Sequence, residues 1–183
     1  MIRKMRFAVL PLILLAAVLS GCATNLHKPA QLPQASSVRF GRFRTVQIMP
    51  VALAPAFAKS SVNERARVKI DSVLTNSLSM IFSDAKILPA GAPATEDTLR
   101  IEPLIEEIKF IGGAARFWVG AWAGSSAVLM KVTYRRANGE PIAEPEFYDQ
   151  ASAFSGATSL GATDNLMLTQ IANQIGEYTR DNR

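Results

Sequence analysis

The only cysteine of this 183-residue chain ends an N-terminal segment that has the layout of an export signal. Three basic residues near the start precede an apolar stretch from Phe7 to Leu19, and small residues then lead into Cys22. The apolar stretch is too short for a permanent membrane-spanning helix. This layout predicts a cleaved signal peptide over residues 1–21, so the fold has to be built from the 162 residues that remain when 21 are removed from 183.

The tetrapeptide Leu19-Ser20-Gly21-Cys22 resembles the lipobox of bacterial lipoproteins. The resemblance implies that the Cys22 thiol is diacylated, with palmitate-type chains, that the chain is cut before Cys22, and that the new amino group is acylated. Two or more acyl chains give stable membrane anchoring, at about 0.8 kcal/mol per buried CH₂ group. Ala23 stands where aspartate signals retention at the inner membrane, which favours the inner leaflet of the outer membrane, facing the periplasm. An ordinary signal peptide with a chance cysteine is the alternative.

Lipidation of Cys22 also limits the chemistry of the mature chain. No thiol is left for a disulfide, so the apolar core alone has to hold the domain together. The signal peptide takes three of the 20 Lys and Arg residues, leaving 17 basic side chains against 15 acidic ones and a net charge of +2. Without a concentrated basic face, nucleic acid is excluded as an inferred partner. The only histidine, His27, excludes multi-histidine metal sites.

The start of the mature chain differs in composition from the rest of it. Residues 23–38 are polar, contain two prolines and show no periodicity, which predicts a flexible tether. We therefore divide the chain into a signal peptide over 1–21, a lipidated cysteine with its tether over 22–38, and a single domain over 39–183.

Two segments have the periodicity of amphipathic helices. The S-x-x-E pattern from Ser61 to Glu64 predicts a capping box that opens the first helix, and Thr163 or Asp164 is expected to cap the second. Gly176 weakens the second helix by about 1 kcal/mol relative to alanine. The predicted apolar stripes are Val62, Ala66, Ile70, Val73, Leu74, Ser77 and Ile81 in the first helix, and Leu168, Ile171, Ala172, Ile175 and Tyr178 in the second.

Alternation of apolar and polar residues predicts the strands, which are Arg44–Val51, Ala85–Leu88, Thr98–Phe110, Ala127–Arg136 and Pro141–Ala153. Asn138-Gly139 is a strong hairpin signal between the last two. Pro103 indicates an edge strand or a bulge, and the alternation shifts near Glu106-Glu107. These elements predict an α+β, two-layer sandwich, with a mixed sheet of about four to five strands and two amphipathic helices on one face.

The segment Gly112 to Ser126 (GGAARFWVGAWAGSS) fits neither a strand nor an ordinary polar loop. An apolar, glycine-rich loop has to be covered by something. Coverage by the domain's own core, a protein–protein contact, and contact with a membrane or a small apolar ligand all remain open. Because Trp, Phe and Arg are typical anchors of binding surfaces, the candidate interaction residues are Arg116, Phe117, Trp118 and Trp122.

The string from Ala115 to Gly124, followed by the strand Val128 to Tyr134 and the Asn138-Gly139 turn, resembles an uncharacterised family of bacterial lipoproteins, domain-of-unknown-function family 4410. Members of that family carry a stretch of the type A-R-[FY]-x-V-G-[FA]-x-A-G before a β-hairpin. The resemblance covers about residues 42 to 182. It implies a location in the envelope and an approximate fold, and it implies no reaction.

The sequence contains no constellation typical of an enzyme. Neither G-x-S-x-G nor H-E-x-x-H occurs, and adjacent Glu106 and Glu107 in a strand point to opposite faces, which argues against a carboxylate dyad. We therefore expect no catalytic residue, no metal and no cofactor. The leading hypothesis is a non-catalytic, membrane-anchored lipoprotein that binds or assembles with protein components of the envelope. The alternatives are a subunit of a ring-forming export or transport accessory, in which case a homo-oligomer is expected, and a small-ligand-binding module.

Overall fold

A computed structural model describes residues 26–111, 125–151 and 162–183. Short elements at the start of the domain are followed by two long helices and two long strands. In chain order the elements are a 3₁₀ turn at Phe40–Arg42, β1 (Thr45–Ile48), β2 (Ala52–Leu53), α1 (Ser61–Ile81), β3 (Lys86–Leu88), β4 (Thr98–Lys109), β5 (Ala127–Arg136), β6 (Pro141–Ala143), β7 (Glu146–Gln150) and α2 (Ala162–Asp181).

The strands form one mixed sheet. β1 is parallel to both β3 and β4, β2 continues along β4 beyond the end of β1, and β4 is antiparallel to β5. β6 and β7 follow each other along the far side of β5, both antiparallel to it. The predicted α+β sandwich is therefore confirmed, although the sheet has seven strands rather than four or five.

One apolar core joins the sheet to both helices. The five residues of the predicted α2 stripe are all buried, because one face of this helix is covered by the sheet and by α1. The α1 stripe is also confirmed for Ala66, Ile70, Leu74 and Ile81, whereas Val62 is 42% exposed and Leu78 is buried in addition. Val62 lies in the first turn of α1.

The helix caps differ from the prediction by one or two residues. Ser60, not Ser61, caps α1, and its hydroxyl accepts a hydrogen bond from the amide of Asn63 at 3.4 Å. Glu64 does not complete a capping box, because its carboxylate binds the guanidinium of Arg67, 2.7 Å away. The predicted caps of α2 were wrong as well, since Thr163 and Asp164 lie inside that helix.

Pro103 does not mark an edge strand, because β4 lies between β1/β2 and β5. Val132, opposite Pro103, donates its amide away from β4 to the carbonyl of Pro145. Pro103 and Val132 therefore form a non-hydrogen-bonded pair. An amide hydrogen at position 103, which proline lacks, would point away from β5 and toward the neighbour on the other side of β4, which consists of β1 and β2. That neighbour is interrupted between Ile48 and Ala52, so the proline deprives no strand of a partner.

The expected irregularity of β4 is confirmed at Glu106, where the pairing with β5 shifts between Ile105 and Glu107. The hairpin after β5 is confirmed too, with Gly139 at a φ of 86°. The predicted returning strand is split at Glu144-Pro145 into β6 and β7.

The topology gives the domain two distinct ends. β4 and β7 finish, β5 begins and both helices begin at one end, which we call the loop end. At the opposite end, which we call the tail end, β4 begins and both helices finish. There the side chain of Arg183, beyond α2, donates to the carbonyl of Ile81 and pairs with Asp84.

Candidate functional site

The predicted site residues lie outside the described residues. These are the lipobox residues Leu19, Ser20, Gly21 and Cys22, and the candidate interaction residues Arg116, Phe117, Trp118 and Trp122. The structure describes the chain on both sides of the second group and the chain that comes after the first. The candidate site is therefore built from these flanking residues.

The residues that flank 112–124 are held tightly at the loop end. Ile111 and Ser126 are both buried, and the amide of Ile111 donates to the hydroxyl oxygen of Ser126 at 3.1 Å. The carbonyl of Ser126 accepts from the amide of Ala151, 2.8 Å away, where the chain leaves β7. Because buried polar groups need partners, this network fixes the entry and exit of 112–124 beside the start of 152–161.

Residues 26–39, which we call the N-terminal strap, contain no helix or strand but are bonded to the end of α2. The amide of Ser36 donates to the side-chain oxygen of Asn182 at 2.6 Å, and the hydroxyl of Tyr178 donates to the carbonyl of Gln34 at 3.0 Å. Arg39 reaches the carbonyl of Asp181 at 2.7 Å. These contacts hold the last part of the strap at the tail end.

The first part of the strap lies at the loop end instead. The amide of His27 donates to the carboxylate of Glu107 at 3.2 Å. The ammonium of Lys28 lies 5.9 Å from the ring centroid of Tyr148, a β7 residue in the same cross-strand row as Glu107. Between its two attachments, the strap borders a groove of about 570 Å³ along Ile142–Glu146.

The surface beside the start of the strap is acidic and partly desolvated. Burial raises the pKa of Glu106, and the neighbouring carboxylates of Glu146 and Glu107 raise it further against the opposing effect of Lys131. Lys131 binds Glu144 at 3.1 Å, and this hydrogen bond lowers the pKa of Glu144. Lys131 therefore compensates the charge of Glu144, whereas the carboxylates of Glu107 and Glu146 still act on Glu106.

Two kinds of site can be compared with the described residues, namely a metal centre and a Ser–Lys nucleophile. No three His, Cys, Asp or Glu side chains over 26–111, 125–151 and 162–183 are placed to hold a metal ion. The spacing S-x-x-K, which joins a nucleophile to a base in some hydrolases, occurs at Ser83 and Lys86. Both residues are exposed, one in the turn after α1 and the other in β3, so they do not share a helical turn.

Neither helix in the described part of the chain is long and apolar enough to cross a membrane. Sequence reasoning missed the strap contacts, since each of these hydrogen bonds joins a side chain to the backbone amide or carbonyl of a distant residue, and a backbone group leaves no pattern in a sequence. Asn182 is buried and its amide side chain needs partners, but this burial could not be read from the sequence.

The comparisons with known proteins give distant similarities of fold. No family model and no curated protein matches the chain, so the resemblance to family 4410 stays a prediction. A PelC dodecamer from Paraburkholderia phytofirmans is 13% identical, covering 80% of this chain and 94% of that one, with a TM-score of 0.45. A minor lipoprotein from Acinetobacter baumannii is 10% identical, covering 77% and 95%, with a TM-score of 0.42. A hypothetical protein from Chlamydia trachomatis is 12% identical, covering 76% and 99%, with a TM-score of 0.41.

Proposed function

We propose that this chain is a non-catalytic lipoprotein of the bacterial envelope, anchored through acylated Cys22, whose α+β domain binds or assembles with other envelope components. The observation that carries the proposal is the sequence Leu19-Ser20-Gly21-Cys22 at the end of a signal peptide. Ala23 favours the inner leaflet of the outer membrane as the location, with the domain in the periplasm.

The binding surface in this proposal is the segment 112–124, whose flanking residues Ile111 and Ser126 lie at the loop end. Its flanks are fixed by the buried hydrogen bonds of Ile111 and Ser126, so a partner would meet the segment at a defined place on the domain. Trp118 and Trp122 are the expected anchors, because large aromatic side chains provide most of the binding energy of many interfaces.

Replacing Trp118 and Trp122 with serine tests this surface. We expect crosslinking to the envelope partner to be lost while the far-ultraviolet circular dichroism spectrum and the thermal midpoint stay unchanged. The matched control is Met80→Ser, which removes a side chain that is 72% exposed near the tail end of α1 and should leave crosslinking intact.

Loss of the fold in the tryptophan variants would contradict the proposal, because both side chains would then belong to the core. Loss of crosslinking in the Met80→Ser control would show that the interface does not lie at the loop end.

A self-assembling subunit is the second candidate function. It is supported by β3, the outermost strand of the described sheet, which is three residues long and has Ile87 40% exposed. An unpaired strand edge is a template for pairing with another chain. The native mass of the acylated protein in mild detergent separates the two: a discrete large homo-oligomer supports self-assembly, and a monomer with a different co-purifying protein supports the first candidate.

A further inference from the structure

The anchor and the first contact of the strap are close together in the chain. Cys22 and His27 are five residues apart, and the amide of His27 is bonded to Glu107 at the loop end. A fully extended chain spans at most about 3.6 Å per residue, so these two Cα atoms are at most about 18 Å apart. An unattached tether of sixteen residues, by contrast, would reach about 55 Å.

We propose that the strap orients the domain so that its loop end lies against the lipid headgroups and its tail end points away from the bilayer. This inference rests on the proposed acylation of Cys22. The loop end is thus next to a phospholipid bilayer, so an envelope partner that binds segment 112–124 would meet it at the headgroup surface. The first turns of α1 and α2 are the helical parts of the domain nearest to the bilayer.

The strap is also attached at the tail end, by residues 34–39. For this reason the five residues from Cys22 to His27, rather than the whole tether, set the distance between the acylated residue and the loop end. Hydrogen bonds to Asn182, Asp181 and Tyr178 fix residues 34–39 at the tail end. The strap has to run the length of the domain between these bonds and Glu107. The number of residues between Cys22 and His27 therefore sets the greatest distance between the acylated residue and the loop end.

The helices supply matched reporters of this orientation. Val62 and Met80 are 42% and 72% exposed and lie near opposite ends of α1. They are 18 residues apart, which is five full turns at 3.6 residues per turn, so they share one helix face and are separated by about 27 Å along the axis. Leu166, 55% exposed near the start of α2, provides a second reporter at the loop end.

The test uses the full acylated lipoprotein in phosphatidylethanolamine–phosphatidylglycerol vesicles, with one introduced thiol per variant: Val62→Cys, Met80→Cys or Leu166→Cys. Acylation of Cys22 leaves the introduced thiol as the only one available to a fluorophore. We expect a headgroup-attached quencher to reduce the fluorescence at positions 62 and 166 at least threefold more than at position 80. Equal quenching at all three positions, or stronger quenching at position 80, would overturn the proposal.

Two controls separate the orientation from the anchoring. Vesicle flotation of the same samples reports anchoring, so flotation without a quenching difference refutes the orientation alone, whereas failure to float refutes the proposed function. Inserting ten Gly and Ser residues between Cys22 and His27 should keep flotation and abolish the quenching difference. Persistence of the difference in that variant would overturn the role assigned to the strap.

Discussion

Asn182 joins the start of the domain to its end. Its side chain, 5% exposed, accepts from the amide of Ser36 and donates to the carbonyl of Tyr178 at 2.8 Å, while its own carbonyl accepts from the amide of Phe40. Asn182→Ala removes the side-chain bonds and leaves the amide of Ser36 unsatisfied, whereas the carbonyl of Tyr178 still accepts from the backbone amide of residue 182. The loss costs about 1–3 kcal/mol of unfolding free energy. Urea unfolding measures this loss, and limited proteolysis should show earlier cleavage within the strap.

Gln34→Ala is the matched control for Asn182→Ala. It removes an exposed side chain whose hydrogen bond to Gln31 is 3.4 Å long, but keeps the backbone carbonyl that accepts from Tyr178. We expect a change within about 0.5 kcal/mol. Equal effects of the two substitutions would show that Asn182 does not hold the strap.

Tyr134 makes the stability of the domain sensitive to alkaline pH. Its ring is fully buried and stacks on Phe40 with centroids 4.5 Å apart, and its hydroxyl lies 2.7 Å from that of Thr179. Burial raises the pKa of Tyr134 far above its usual value of 10.0. Below pH 10 neither state is ionised; above it the unfolded chain loses this proton while the folded chain keeps it, so stability falls by about 1.4 kcal/mol per pH unit.

Tyr134→Phe should therefore lower the unfolding free energy by about 1 kcal/mol at pH 7, because the hydrogen bond to Thr179 is lost. As the pH rises, the difference in unfolding free energy between the two proteins should shrink. We expect the unfolding free energies of the two proteins to meet near pH 11, which denaturant titrations from pH 7 to 11 would measure. A constant difference across this range would contradict the buried, neutral phenol.

Gly176 of α2 faces Ser77 of α1 at a close contact between the two helices. A Cβ atom on residue 176 would lie 2.6 Å from the hydroxyl oxygen of Ser77 but 3.7 Å from its Cβ and 3.8 Å from Ile81. The glycine therefore serves the approach of the helices, which explains its presence despite the cost to helix propensity. Of the three nearest atoms, only the serine hydroxyl oxygen is too close for the Cβ atom of an alanine.

A double-mutant cycle tests this contact. Gly176→Ala should destabilise the protein by about 1 kcal/mol when Ser77 is present, because the serine is displaced. In a Ser77→Ala background the same change should stabilise the protein by about 0.5–1 kcal/mol, the ordinary gain of alanine over glycine in a helix. Thermal unfolding of the four proteins gives the coupling energy, and additive effects would contradict the close approach.

At the scale of helices and strands, the sequence predicted those elements whose apolar residues recur at regular spacing. α2 follows directly from its apolar spacing, because one face of this helix is covered by the rest of the core. β5 could be predicted from its alternation although the strand is buried on both faces, with Leu129 and Thr133 covered as well as the predicted apolar row. The predicted edge position of Pro103 was wrong because the rule that places proline at an edge assumes an uninterrupted neighbouring strand. Pro103 is accommodated because the neighbouring strand is interrupted between β1 and β2. This gap lies about 50 residues earlier in the chain, so the sequence around Pro103 does not indicate it.

At the scale of the whole molecule, the membrane anchor at Cys22 is predicted from the sequence, and the orientation of the domain, with its loop end toward the bilayer, is inferred from the structure. The lipobox is local, so Cys22 could be proposed from four residues. The orientation depends on the bond from His27 to Glu107, which links residues 80 positions apart and leaves no mark in either segment. For the same reason, residues 112–124 could be identified by composition, whereas the position of their flanking residues Ile111 and Ser126 at the loop end could not.

The most direct test of the proposed anchor is the intact mass of the N-terminal peptide of the protein isolated from the envelope of the producing bacterium. We expect a mature chain that begins at Cys22 and carries acyl groups on both the sulfur and the amino nitrogen. A chain that begins at another residue, or one in which Cys22 keeps a free thiol, would contradict the anchor and with it the orientation of the domain.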